Sequence, residues 1–471
     1  MAAGDAQGIF RPLVSSSFRA MNALTWIGSC LAAAAVLSCG NAAQPPETRE
    51  IHLPQTAAVR VTTAGAGEWL LVLETLQPQA LVTKPIRSAA LLGAGSEVIR
   101  TYDAPEDWIL IDAVAHPSGE VSILSVQVDP TAAYPLRARV TRFGADGAIA
   151  DRELSRLPPP SGDEPPPAFM ASLDRARIVS HGEELFAVVR WANNSVQAYR
   201  LALGGGMLEQ RWATWIEPPA PLIFLGIIGG GFDNFHQGDS VFFVYADVDA
   251  QGNLSAGVAS TGELLENHDA FFGDDLLSQA DPGSFEFGTA VVTRIDAQGV
   301  RGFARLLGSP GRTRRLLNLR VAGDSVVLVG RIRTGMEPGS WDGWILSSQA
   351  ATGQLEYERS IDVRSGDMFW DAAALDNGRL LAVGSTNYTQ NPSGLSVSDA
   401  RDPLALVLDP QGNVEKSIAL PTGPAGRGNE AMSVGVGARG EIAISGVQNA
   451  PGTHAEVFSD AFVVVRGRDL F

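Results

Sequence analysis

The chain is poor in the residues on which much site chemistry depends. Only two of its 471 residues are cysteine, Cys30 and Cys39, so nothing after residue 39 offers a thiol for a disulfide or a thiolate zinc site. The six histidines, His52, His116, His181, His236, His268 and His454, never pair at metal-ligand spacing, and most are expected in surface turns. No G-x-S-x-G elbow is present. Ser240, Ser325 and Ser396 each have Gly two residues before, but Phe242, Val327 and Ser398 stand where the second Gly belongs. No catalytic residue, metal or cofactor is therefore assigned. Positive charge is also scarce, with 35 Lys plus Arg against 52 Asp plus Glu, a formal charge of −17. Such a field repels phosphate backbones and anionic headgroups, which argues against nucleic acid as a partner. No long stretch has helical periodicity, and the longest apolar run is too short to span a bilayer comfortably.

That run, Ala23 to Leu37, follows Arg11 and Arg19 and suits the apolar core of a secretory signal. Met21 is a candidate start, because a twenty-residue polar lead is long for a signal. The run ends in Val36-Leu37-Ser38-Cys39, which resembles the lipobox of bacterial lipoproteins. That resemblance implies lipidation at Cys39 and, with Gly40 rather than Asp next, export to the outer membrane. The alternatives are an ordinary signal cut after Ala42-Ala43, or a weaker lipobox at Cys30. The expected organisation is a lipoprotein-type signal at 1–38, a tether at 39–49 and one folded domain at 50–471.

Within that domain one phrase recurs: Gly, a polar residue, then an apolar run. It occurs at Gly67, Gly119, Gly182, Gly238, Gly323, Gly378 and Gly440, at intervals of 52, 63, 56, 85, 55 and 62 residues. A second Gly turn follows each of the first six, at Gly95, Gly147, Gly205, Gly299, Gly353 and Gly412. Glycine supplies the positive φ of a tight hairpin, and the flanking runs alternate with period two, so each unit reads as two hairpins. Four-stranded meanders bury their faces only against further copies, and seven in a row predict an all-β, seven-bladed β-propeller. Two β-sandwiches are the alternative. The seventh unit stops one strand short, and Glu50–Leu53 (EIHL) is the candidate to close that blade.

The phrases DAFVVV at Asp460, DPLALVLDPQGN at Asp402 and AVGST at Ala382 resemble bacterial β-propeller repeats of the SBBP type, over about 316–467 and more loosely before. The resemblance implies a scaffold found in many exported proteins and lipoproteins, with no shared catalytic residue.

In such a ring both Gly turns of every unit lie on one face. The longer connections lie on the other, including Leu157–Ala168 (LPPPSGDEPPPA), Ser385–Arg401, Val447–Ser459 and an insertion expected at about 246–285 in the fourth unit. The long-loop face is therefore the expected working face. Candidate ligand-binding residues there are Asp269, Asp274 and Asp275 in the insertion, Trp341, Asn387 and Tyr388, and His454. Asp274 and its neighbours read either as a calcium or basic-partner site or as a solvated acidic loop. Trp341, with Trp344 and Trp370, reads either as a stacking platform or as packing between blades. Asp342, Asp402 and Asp460, just before third strands, read as rim ligands or as turn residues. Asp247-Val-Asp249-Ala-Gln251-Gly252 resembles the start of an EF-hand loop but has Val258 where the twelfth-position Glu belongs, and is rejected.

Three functions follow from these readings. One is a non-enzymatic lipoprotein whose propeller binds a protein, peptide or glycan at the cell envelope, touching the membrane only through its lipid. Another is a propeller enzyme, a hydrolase or lyase, although the S-x-D-x-G-x-T-W box of sialidase propellers is missing. The third is a structural part of an envelope complex. A deep pocket of ionisable groups with displaced pKa values would favour catalysis; an apolar or aromatic rim would favour binding; an exposed apolar patch on one blade's outer edge would favour the structural role.

Overall fold

The alternating runs form seven antiparallel sheets of four strands. In this computed structural model the described residues are 48–467, apart from 55, 66 and the segments 79–82, 129–134, 159–175, 192–194, 218–243, 261–271, 274–275, 277–288, 309–313, 336–339, 388–400, 422–428 and 450–458. Cys39 and residues 1–47 lie outside them. A short strand, β1 (Arg49–Leu53), comes first. Blade 1 follows as β2 (Ala57–Thr63), β3 (Trp69–Pro78), β4 (Thr83–Leu92) and β5 (Val98–Tyr102). Blade 2 holds β6 (Ile109–Ala115), β7 (Val121–Val128), β8 (Pro135–Gly144) and β9 (Gly147–Leu154). Blade 3 holds β10 (Ala176–His181), β11 (Glu184–Arg190), β12 (Val196–Gly204) and β13 (Met207–Glu217). Blade 4 holds β14 (Val244–Val248), β15 (Leu254–Ser260), β16 (Thr289–Ile295) and β17 (Arg301–Leu307). Blade 5 holds β18 (Arg314–Ala322), β19 (Ser325–Arg333), β20 (Trp341–Gln349) and β21 (Leu355–Ile361). Blade 6 holds β22 (Met368–Ala374), β23 (Leu380–Thr386), β24 (Asp402–Leu408) and β25 (Val414–Ser417). Blade 7 is β26 (Asn429–Val436), β27 (Ile442–Asn449) and β28 (Ser459–Arg466), completed by β1.

The ring closes as expected. β1 lies antiparallel to β28, with Arg49 opposite Val465 and Leu53 opposite Ala461. Seven apolar cores separate the seven sheets, one between each adjacent pair of blades, and the core joining blade 7 to blade 1 packs Trp69 and Leu71 with Ala443 and Val463. Each sheet is thus covered on both faces, which is why inner strands such as β23 (LLAVGST) are buried at every residue while the outermost β25 (VEKS) is exposed throughout.

A bulge recurs in the innermost strands of five blades, displacing Val59, Ile111, Leu317, Trp370 and Met432. In blades 5, 6 and 7 the partner strand answers with Gly330, Gly384 and Gly446. A Cβ at any of these would stand 1.9 Å from the carbonyl oxygen of Arg315, Met368 or Glu430, respectively. The AVG phrase of the repeat is therefore the imprint of the bulge.

Blade 4 corrects two expectations. Its first hairpin turns at Gly252 (φ 78°), not at Gly238, which lies outside the described residues. Asp249 secures that turn, its Oδ1 accepting the N–H groups of Gln251 (2.9 Å) and Asn253 (2.8 Å). The EF-hand-like stretch is this strand end and turn. Residues 246–260 accordingly belong to β14, the turn and β15, and the connection from strand two to strand three runs over 261–288 rather than 246–285. Taking Gly252 as the fourth turn makes the intervals 52, 63, 70, 71, 55 and 62 residues. The same carboxylate cap recurs at Asp296 and Asp409, each accepting the N–H groups two and four residues on. In blade 1 the second turn places Ser96, not Gly95, at positive φ (75°).

The short-turn face is bonded from blade to blade. His116 is buried in blade 2's first turn, an exception to the surface turns expected for most of the histidines. Its Nε2 lies 2.8 Å from Ser122 Oγ and its Nδ1 lies 3.3 Å from the Gly182 carbonyl oxygen of blade 3. Burial pushes its pKa below the ordinary imidazole value, and the nearby Arg142 charge adds to that. Arg142, equally buried, pairs with Glu120 of its own blade and Glu183 of the next. Exposed large apolar residues follow the second turns, among them Ile99, Ile149, Met207, Val300, Leu355 and Val414. They are spaced one to a blade rather than gathered on one outer edge.

Candidate binding site at the mouth of the central channel

The seven innermost strands surround a channel, and the bulges shape its wide end. A cavity of about 330 Å³ is lined by residues from all seven inner strands, with Glu74 and Arg87 added from β3 and β4. It opens on the face where the inner strands begin, which the long connections also leave and enter. Its upper part is an apolar collar of the bulged Val59, Ile111, Leu317, Trp370 and Met432. Arg177 and Arg315, each the second residue of its strand, stand at the mouth; Arg60 and Arg320 lie further along theirs.

At the waist the polar residue after each bulge joins neighbouring blades. Asp112 pairs with Arg60 of blade 1 and accepts the N–H groups of Ala113 (2.9 Å) and of Ile178 in blade 3 (3.0 Å). Asp371 accepts from Arg320 Nε (2.7 Å) and Nη2 (2.6 Å), Asn318 Nδ2 (2.9 Å), Ser433 Oγ (2.8 Å) and the Val434 and Ala372 N–H groups (3.0 and 2.8 Å). Asp247 accepts from the Val248 and Val321 N–H groups, both at 2.9 Å. Ser433 Oγ accepts from the Val61 N–H at 3.2 Å, which carries the linkage back to blade 1.

The electrostatics follow from burial and crowding. Burial pulls the Arg60 guanidinium below its ordinary value; Asp112 opposes this, and the charges of Arg320 and Arg177 reinforce it. Burial would lower Arg320 too, but Asp371, Asp247 and Asp112 outweigh it and hold that guanidinium above its ordinary value. Burial pushes the Asp247 carboxyl up, opposed mainly by Arg320. Five guanidinium groups, Arg60, Arg87, Arg177, Arg315 and Arg320, line the cavity beside Glu74 and Asp112, with Asp247 and Asp371 behind. Positive charge is thus concentrated at the centre of a chain whose formal charge is −17.

The predicted site residues lie elsewhere or outside the described residues. Asp269, Asp274, Asp275, Tyr388 and His454 belong to the latter group. Phe272 and Leu276, which flank Asp274 and Asp275, pack on the two outer strands of blade 4. The Arg301 guanidinium lies 3.8 Å from the Phe272 ring centre, and Leu276 is buried with Val291 and Ala304. Trp341 begins β20, with the Arg331 guanidinium 4.3 Å from its ring centre. Asn387 (φ 61°) donates to Asp402 Oδ2 at 3.1 Å, an oxygen that also pairs with Arg364 at 3.1 Å. Asp342 likewise accepts locally, from Thr334 Oγ1 and Ser360 Oγ. Trp344 is core, its Nε1 donating to Glu358 at 2.8 Å. Among the described residues, only Trp370 of the aromatics singled out lines the cavity. Among the described residues no group of three or more His, Cys, Asp or Glu converges as metal ligands would. A second depression, about 400 Å³, lies between the outer strands of blades 4 and 5 around Arg305 and Gly353, with a single charged residue in its lining.

The channel residues carry a sequence signal that motif reading misses. A polar residue interrupts an apolar strand seven positions before the turn glycine at Arg60 (67), Asp112 (119), Asp371 (378) and Ser433 (440).

No family model matches the chain, and no curated protein matches it. It is similar in structure to a protein of unknown function from Dyadobacter fermentans, at TM-score 0.45 and 12% identity, covering 90% of this chain and 100% of that one. It is also similar to the polysaccharide lyase Uly1, at TM-score 0.45 and 8% identity, covering 92% of each. A chain of the mitotic checkpoint complex gives TM-score 0.44 and 10% identity, covering 91% of this chain and 97% of that one. Likenesses of this grade bear on neither activity nor ligand.

Proposed function

We propose that the protein is an exported lipoprotein of the SBBP-repeat type, lipid-anchored at Cys39 in the outer membrane or cell envelope, whose propeller is a non-enzymatic binding module. One observation carries the binding role: the cavity is lined near the starts of the inner strands, on the face where strand two joins strand three and strand four joins the next blade, while short turns join the strands on the opposite face. The partner is a protein, peptide or glycan of the envelope.

A propeller enzyme is the second reading, favoured by the ionisable groups and displaced pKa values at the waist. The hydrogen bonding there favours binding instead. Each waist carboxylate already accepts at least two N–H groups, Tyr245 donates its hydroxyl to the Leu316 carbonyl (3.2 Å), and no histidine lines the cavity among the described residues. Asp371, with six donors around its two oxygens, has no lone pair left to act as a general base.

Photo-crosslinking in isolated envelopes tests the working face. A crosslinking side chain at Met432, in the collar, is expected to capture discrete partners, and one at Gln411, in a short turn, is expected to capture none; equal capture, or capture from Gln411 alone, overturns the assignment. Cys39→Ser is expected to release the chain from the membrane fraction, and retention there overturns the anchor.

A further inference from the structure

We infer that the mouth of the central channel binds a small oxyanion, a carboxylate or a sulfate, carried on an apolar or ring-shaped body. This deepens the binding reading above, since it gives that cavity a ligand class. Charge is the first ground. Guanidinium groups converge on the cavity from blades 1, 3 and 5, and the charges of Arg320 and Arg177 oppose that of Arg60, an opposition that ranks after burial and the counter-effect of Asp112. An anion entering from the mouth relieves that opposition, and guanidinium offers paired donors suited to two oxygens of one group.

The order of the lining gives the second ground. Arg315 and Arg320 lie five residues apart on β18, roughly 16 Å of strand at 3.3 Å per residue, so positive charge extends from mouth to waist. The collar of Leu317, Met432, Ile111 and Trp370 lies between these levels and presents apolar surface to whatever carries the oxyanion. A third ground is the indole of Trp370, whose buried Nε1–H has no hydrogen-bond partner among the described residues. A buried donor left without an acceptor is costly, and an oxygen-rich ligand supplies one. At about 330 Å³ the cavity sits at the small end of ligand sites, the size of one ring rather than a polymer.

Calorimetric titration of the intact chain in detergent, at low salt, tests this with five probes: benzoate, glucuronate and inorganic sulfate, and the uncharged benzamide and glucose. Benzoate or glucuronate is expected to bind at least tenfold more tightly than its uncharged counterpart, and to weaken as salt rises. Arg315→Gln and Arg177→Gln are each expected to weaken that binding tenfold or more, Arg315→Lys to restore part of it, and Trp370→Phe to weaken it a few-fold, with melting temperatures unchanged. If one arginine variant fails to fold, the other and Arg315→Lys decide. Equal affinity for charged and uncharged probes, binding of none of the five, or indifference to both arginine variants overturns the inference. Binding of sulfate alone overturns the part assigned to the collar. Loss of crosslinks from Met432 with anion binding intact refutes the envelope-partner reading and leaves this one standing; the reverse refutes this one alone.

Discussion

At the waist of the channel every carboxylate is surrounded by donors; a few residues nearer the mouth the lining carries the guanidinium groups of Arg177 and Arg315. Asp371 alone collects six hydrogen bonds from blades 5, 6 and 7, so removing it disturbs three sheets. Arg177 and Arg315, by contrast, sit at strand starts beside the opening, with the Arg177 guanidinium 5.5 Å from the ring centre of Tyr245 in blade 4. The lesson is that one ring of inner strands performs two tasks at different depths. Polar residues that serve stability lie at the waist, and those that meet a ligand lie above it.

Substitutions at the two depths test that division. Asp371→Ala strands the buried Arg320 charge and is expected to cost about 3–5 kcal/mol in urea unfolding; a cost below about 1 kcal/mol would mean the waist is not a staple. Gly384→Ala forces a methyl against the Met368 carbonyl at the bulge that sets Asp371 in place, and is expected to cost about 1–3 kcal/mol by thermal melting. Ser125→Ala, at the corresponding place in blade 2 where a side chain already fits opposite Leu110, is expected to change stability by less than about 1 kcal/mol.

On the short-turn face the sign of a pH effect follows from His116. Its folded-state pKa is lowered, so the unfolded chain takes up the proton first. The contribution to stability is full above about pH 6.5, the ordinary imidazole value, and is lost as pH falls below it. His116→Gln is expected to flatten the fall in urea midpoint between neutral and mildly acidic pH; an unchanged slope would mean the imidazole is not the group responsible. The smallest effect belongs to the mouth. Arg315→Gln is expected to shift stability by less than about 0.5 kcal/mol although it weakens anion binding, and a larger loss would erase the distinction between the two depths.

The fold was legible because each of its rules is local. Turn glycines, two-residue alternation and the missing last strand all sit within short windows, and together they imply seven blades closed by residues 50–53. Blade 4 misled for the same reason. Gly238-Asp-Ser-Val-Phe-Phe-Val is nearly letter for letter Gly323-Asp-Ser-Val-Val-Leu-Val, whereas the true turn, Asp249-Ala-Gln-Gly252, is written like the second turn Asp296-Ala-Gln-Gly299. Letters specify a turn, and only strand pairing says which turn it is. The site was far less legible. Its arginines come from inner strands of different blades, Arg60, Arg177 and Arg315 being more than a hundred residues apart, and no linear motif joins them. His116 departs from the surface turns expected for most histidines because neighbouring blades cover one another's turns.

The pairing of Arg49 with Val465 also has a consequence in time. At a synthesis rate of about 5–20 residues per second, the amino-terminal strand waits roughly 20–80 seconds on the ribosome before its partner exists. Until then β1 has no strand to pair with, and the nascent chain carries an open ladder of amide groups that only β28 can cover.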